Sequence, residues 1–169
     1  MKNKIILALA GLLLLPAGLF AANSATGTAT VLVVSPINIT HNTGSSLNFG
    51  EIANGAAGTV VVSAAGEATA SGFDYYNSAN AAADAFSITA SGAGQSFSVT
   101  LPISATLSNG SNTLTADTFT ATCTTSCQTT AAAYTLNVGA TLHVTSTTQA
   151  TGTQAAGTYT GNYNVTLVY

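Results

Sequence analysis

The sequence predicts an all-β protein, a single antiparallel β-sandwich that follows an export leader. Apolar residues recur at every second position in nearly every segment, turn residues punctuate the chain at about ten-residue intervals, and no long stretch shows helical spacing. The strongest strand starts at Tyr134. Its even positions are Tyr134, Leu136, Val138, Ala140, Leu142 and Val144, whereas Thr135, Asn137, Gly139, Thr141, His143 and Thr145 lie between them. One face is apolar and the other polar, as a half-buried strand requires, with Gly139 a bend or bulge. The C-terminus repeats the pattern: Tyr159, Gly161, Tyr163, Val165, Leu167 and Tyr169 share one face, and Thr158, Thr160, Asn162, Asn164 and Thr166 the other.

Shorter strands fill the middle. Leu47 to Ile52 carries Leu47, Phe49 and Ile52, with Gly50 at a bulge, and Thr59 to Ser63 is a Val-rich run between Gly58 and Gly66. Ala85 to Ala90 and Ser96 to Leu101 alternate as Phe86–Ile88–Ala90 and Phe97–Val99–Leu101, with Ser91 to Gly94 read as a hairpin connection. Asp117 to Cys123 sets Phe119, Ala121 and Cys123 on one side, Asn109-Gly110 and Gly152 to Gly157 are turn signals, and Asp74 to Ala83 is read as one short helical turn. Seven to nine short strands without a helical pattern argue for a sandwich.

Residues 1–22 read as a signal peptide. Lys2 and Lys4 precede the apolar run Ile5 to Phe20, which leads into Ala21, Ala22, Ser24 and Ala25. Cleavage is expected after Ala21 or Ala22, with Ala25 an alternative, and without a following Cys no lipid anchor is expected at the cut. The remainder is expected to be soluble and exported, with no stable membrane insertion. Residues 23–40 form an N-terminal strand and 41–169 the sandwich domain. In the first of these, Ala25, Gly27, Ala29, Val31 and Val33 alternate with Thr26, Thr28 and Thr30. A strand at a free end can pair with its own sheet or with a neighbour's.

Both lysines lie in the leader and the chain has no Arg, so the remainder carries only Glu51, Glu67, Asp74, Asp84 and Asp117 as permanent charges. The sequence pI of 4.8 should fall on cleavage. Nucleic acid is excluded as a partner, because binding phosphate requires Lys or Arg, and polybasic attraction to lipid is excluded with it. The patterned 47% apolar content argues against disorder.

Cys123 and Cys127, spaced Cys-x3-Cys, are expected to form a local disulfide in an oxidising compartment, the alternative being half of a zinc site with His41 and His143. No cofactor is called for. Catalysis is not expected either: the titratable groups are scattered, His143 sits on a polar strand face, His41 adjoins a turn, and neither has an acidic neighbour in sequence. Asp74, Asp84 and Asp117 could hold Ca²⁺ only if loops gathered them, and otherwise read as solvated loop acids. Asp74, Tyr75 and Tyr76, within Phe73-Asp74-Tyr75-Tyr76-Asn77, form the leading polar–aromatic cluster, suited to a sugar or a partner, or else to a core beneath a loop. An outer-membrane β-barrel is the rival architecture, opposed by an aromatic content of 7% and by apolar faces rich in Ala and Gly.

The Ala/Val-rich N-terminal strand, Leu47-Asn48-Phe49-Gly50 and the ending Gly157 through Tyr169 resemble a family of small secreted bacterial β-domains of unknown function. They are also similar to chaperone–usher pilins, of the archaic branch related to spore coat protein U. Gly157 and Tyr169 reproduce the pilins' Gly twelve residues before a near-terminal Tyr, although Tyr169 is the last residue here and both Cys lie late. The resemblance implies an incomplete immunoglobulin-like, pilin-like sandwich completed by a donor strand. It implies a structural or adhesive fimbrial (pilus) subunit, with neighbouring subunits, a periplasmic chaperone and an usher as partners. Ala25, Gly27, Ala29, Val31 and Val33 would be the donor residues, with Gly27 passing a shallow pocket. Gly157, Tyr159, Tyr163, Val165, Leu167 and Tyr169 would form the strand that borders the groove. The alternative is a free-standing secreted binding module whose N-terminal segment completes its own sheet.

Overall fold

A computed structural model describes residues 23–33, 36–53, 57–130, 133–145 and 155–169. The leader read at residues 1–22 lies outside the described residues, as do residues 152–154 of the last turn signal. The chain divides into two units, Met1–Val33 and Val34–Tyr169. In the first, residues 23–33 form no strand and all are exposed, Val31, Leu32 and Val33 each to 85%. The strand expected from Ala25 is therefore not formed. Alternation prepares a segment for a sheet, but only a paired edge makes it a strand, and residues 23–33 join no ladder.

The second unit is all-β and antiparallel, a large curled sheet with two smaller ones in a sandwich-like arrangement. Among the described residues its strands are β1 (Asn38–His41), β2 (Glu51–Ile52), β3 (Gly58–Val62), β4 (Ala68–Ser71), β5 (Tyr75–Asn77) and β6 (Asp84–Thr89), followed by β7 (Ser96–Thr100), β8 (Ser104–Asn109), β9 (Asn112–Ala121), β10 (Cys127–Gln128), β11 (Ala133–Val144) and β12 (Thr166–Val168). The large sheet runs β1–β6–β11–β3–β4, with β9 and then β8 added beside β11. The smaller sheets are β10–β7–β12 and the pair β2–β5. Among the described residues these ladders do not close into a ring: β1 and β4 end the path.

β11 is the spine, and the period-two reading located it. Leu136, Val138, Ala140, Leu142 and Val144 are all buried, and Tyr134 is half-buried. Its first half pairs with β6 through Ala133–Val138 and its second with β3 through Ala140–Val144. Since β9 pairs with Val138–His143, overlapping both, β6 and β3 must share the opposite edge. The partner changes at Gly139, where a Cβ would strike the Val62 carbonyl and the backbone of Ser63 and Ala64. Only glycine lets β3 turn away so close to the spine.

The even side chains of β11 thus serve two cores. Leu136 and Val138 pack with Ile37, Phe86, Ile88, Phe97 and Val99. Ala140, Leu142 and Val144 pack with Phe49, Val60, Val62, Leu114 and Ala116. β9 crosses between them by changing parity. Leu114 and Ala116 face inward, then a bulge inserts one residue and the inward positions become Phe119 and Ala121. Thr118 carries the bulge in the left-handed region, φ +48°.

Three local expectations are corrected. Ser91–Gly94 is not a hairpin loop, because β6 and β7 belong to different sheets. Thr129 holds this crossover, donating from Oγ1 to the Gly92 carbonyl at 2.8 Å and accepting from the Gln95 N–H at 3.1 Å. Asp74–Ala83 contains β5 and a turn instead of a helical turn, since β2 offers a sheet edge. The C-terminal strand is shorter than its alternation implies: Thr160 makes one bridge to Ser108, and only Thr166–Val168 joins a ladder, against β7.

Gly139→Ala is expected to cost about 1–3 kcal/mol in urea unfolding, because the added methyl meets backbone that cannot yield. Gly92→Ala, where a Cβ meets nothing within 4 Å, is the control, with a change within about 0.5 kcal/mol.

Candidate functional site

A concavity of the domain lies between two segments near its ends. One wall is the chain from Ile39 to Ile52 and the other runs from Gly157 to Val165. Two adjoining cavities of about 450 and 520 Å³ share Leu47, Phe49, Leu107 and Gly161, so they form one groove. Ile39 and His41 face residues 161–165, whereas residues 46–52 face 157–161, and the walls are therefore antiparallel. The floor is apolar: Phe86, Ala116 and Phe119 at one end, Leu114 and Leu142 at the other.

The C-terminal wall follows from its sequence. Thr160 exchanges backbone hydrogen bonds with Ser108 at 2.8 and 3.1 Å, and Gly161 then lies against the Thr106 carbonyl, where a Cβ has no room. Tyr163, Val165 and Leu167 are half-buried and pack on the first core, and Tyr159 packs on the second. Gly157 and Gly161 are exposed, and so is Tyr169, which the alternation had placed with the apolar face, at 70%. Residues 161–165 belong to no ladder, so this wall presents backbone on its open side.

Asp84 fastens the two walls. It opens β6, is only 4% exposed, and lines the groove. Its Oδ1 accepts from Ser45 Oγ at 2.5 Å and from the Ala85 N–H at 2.8 Å, and His41 Nε2 lies 2.8 Å away. Its Oδ2 accepts from the Tyr163 hydroxyl at 2.7 Å. Burial alone would raise the Asp84 carboxyl, but the bonds from Ser45, Tyr163, His41 and Ala85 outweigh it and hold it below its ordinary value. Burial, and then the adjacent carboxylate, push the Tyr163 phenol far up, so it stays a donor. The expectation of a solvated loop acid is corrected at Asp84: register brings His41 opposite Phe86, within reach of the head of β6.

His143 also has an acidic partner, Asp117 Oδ1 at 2.8 Å from Nε2, on the outer side of the sheet. The bonds from His143 and then Thr118 lower the Asp117 carboxyl. Linear order concealed both pairs, whose members are 43 and 26 residues apart.

Cys123 and Cys127 are joined in a disulfide, Cys127 being buried in the first core. Asp74, Tyr75 and Tyr76 are not gathered into one site. Adjacent strand positions face opposite ways, leaving Asp74 and Tyr76 exposed, whereas the Tyr75 hydroxyl donates to the Phe49 carbonyl at 2.8 Å and steadies the N-terminal wall. Among the described residues no three His, Cys, Asp or Glu side chains come together as metal ligands. Ser45, His41 and Asp84 do not form a nucleophile relay, because Asp84 and Ser45 both face Nε2, Ser45 at 3.5 Å, where a relay uses both ring nitrogens.

Asp84 sets an acid limit. A carboxyl lowered by folding contributes stability that is full above its ordinary pKa and is lost as pH falls through the lowered value. Asp84→Asn is expected to cost about 1–3 kcal/mol at pH 6 and to remove most of the fall in stability between pH 5 and pH 2, read by urea unfolding at each pH. Asp117 adds little, since it is exposed to solvent screening.

No curated protein and no solved structure matches the chain. A family model described as Domain of unknown function (DUF4402) matches residues 37–169, beginning at Ile37, a buried residue of the first core. The resemblance to a β-domain family of unknown function stands at that level, and the chain belongs to the DUF4402 family.

Proposed function

We propose that this protein is an exported structural or adhesive subunit of a bacterial surface fibre, in which residues 25–33 of one copy fill the groove of the next. The observation that carries this reading is the pairing of an open apolar groove with an exposed, alternating segment of matching length. The C-terminal wall offers nine residues, Gly157 to Val165, and Ala25 to Val33 is also nine. An inserted strand would supply hydrogen bonds to residues 161–165 and set Ala25, Gly27, Ala29, Val31 and Val33 against the floor. The small residues at 25–29 suit a shallow groove, and the absence of charge in the segment suits an apolar one.

Before assembly, a periplasmic chaperone covering the same groove would keep it from aggregating, and an usher would pass subunits outward. Both partners come with the resemblance to pilins. The disulfide supports an oxidising compartment, and the unclosed ladders favour an exported module over an outer-membrane barrel.

Full-length protein starting at residue 23 is expected to form oligomers that grow with concentration, measured by light scattering after gel filtration. Deleting residues 23–33 should abolish them while leaving a domain that a peptide of residues 25–33 stabilises. Val31→Asp with Val33→Asp should act like the deletion, since two carboxylates would enter the groove unpaired. Thr28→Ser with Thr30→Ser should leave assembly intact. A full-length monomer at every concentration would instead favour the free-standing binding module.

A further inference from the structure

We propose that Asp84 is the positioning residue of the groove: it holds the two walls at the spacing that admits an extended segment and releases them when protonated. The inference rests on the strand-accepting reading above. His41 closes β1 and Ser45 lies in the loop that follows, so both belong to the N-terminal wall, whereas Tyr163 belongs to the C-terminal wall. All converge on one carboxylate near the floor, which links both walls to β6.

Four donors meet two oxygens, three at Oδ1 and one at Oδ2, and all four are strengthened by an ionised carboxylate, which only accepts. Protonation removes the charge that strengthens these bonds, and a proton on Oδ2 competes directly with the Tyr163 donor, the only one at that oxygen. The charged and titratable side chains lining this half of the groove are His41, Asp84 and Tyr163, with no Lys or Arg after residue 4 to replace the lost bond. Tyr163 also packs edge-on to Phe86 at 6.2 Å and tilted on Phe119 at 5.1 Å between ring centroids. Losing its tether therefore frees a wall residue whose ring packs on the floor.

The test uses the full chain carrying Val31→Asp and Val33→Asp, so that its own segment cannot compete, and a fluorescent peptide of residues 25–33 read by anisotropy. At pH 7 the peptide is expected to bind. Adding Tyr163→Phe should weaken it about tenfold, and Asp84→Asn at least as much, the range for losing one hydrogen bond to a charged group. Tyr76→Phe, on an exposed side chain, should change nothing. As pH falls through the carboxylate range, below about pH 4, binding should be lost with Asp84 present and should change less than about twofold in Asp84→Asn, with near-UV circular dichroism confirming the fold at each pH. If Asp84→Asn does not fold, Tyr163→Phe decides. Full affinity in Tyr163→Phe, a pH-independent affinity with Asp84 present, or a midpoint well above the carboxylate range would overturn the inference while leaving the groove reading intact. Failure of the peptide to bind at any pH would overturn both.

Discussion

Because β11 gives one edge to β6 and then β3, and the other to β9, its even side chains can serve two cores from one strand. That double service requires a partner change in mid-strand, and Gly139 permits it. With both edges of β11 occupied, the terminal segments have no place beside it. They lie at the margin, joined to β6, β5, β8 and β7 only over part of their length. The groove is what remains between them, and its open backbone follows from the same shortage of neighbours.

Alternation made β11 legible, because Tyr134 to Val144 never leaves the period of two and is buried on one face. It also located β3, β6 and β7, whose apolar runs are short and bounded by glycines or turns. It could not report which strands pair, since β6 and β7 look like a hairpin and Thr129, 34 residues from Gln95, decides otherwise. Nor could it report the parity change of β9, which depends on one non-glycine residue at positive φ, Thr118. The C-terminal alternation was legible as a half-buried face, but an alternating pattern records preparation for a sheet and not the presence of a partner. Residues 25–33 carry the same lesson further.

The site was legible only in part. Its C-terminal wall and its candidate occupant were both readable from sequence. Asp84 was not, because a lone acid between Ala83 and Ala85 has no local mark of burial, and its partners Ser45 and Tyr163 lie 39 and 79 residues away. A buried carboxylate in a chain without Lys or Arg after residue 4 must be satisfied by neutral donors or His. Ser45, Tyr163, His41 and the Ala85 N–H meet that need, and in doing so they join walls that no ladder joins. The two walls are thus joined through β6 by side chains in place of backbone, leaving backbone available to a partner.

The most direct measurement is hydrogen exchange at the amides of residues 161–165, compared between oligomers of the full-length chain and the Val31→Asp, Val33→Asp monomer. Donor-strand pairing predicts strong protection of these amides in the oligomer and fast exchange in the monomer, with Gly110 and Ser111 at the β8–β9 turn unchanged. Equal exchange in the two forms, with oligomers present, would contradict a strand in the groove.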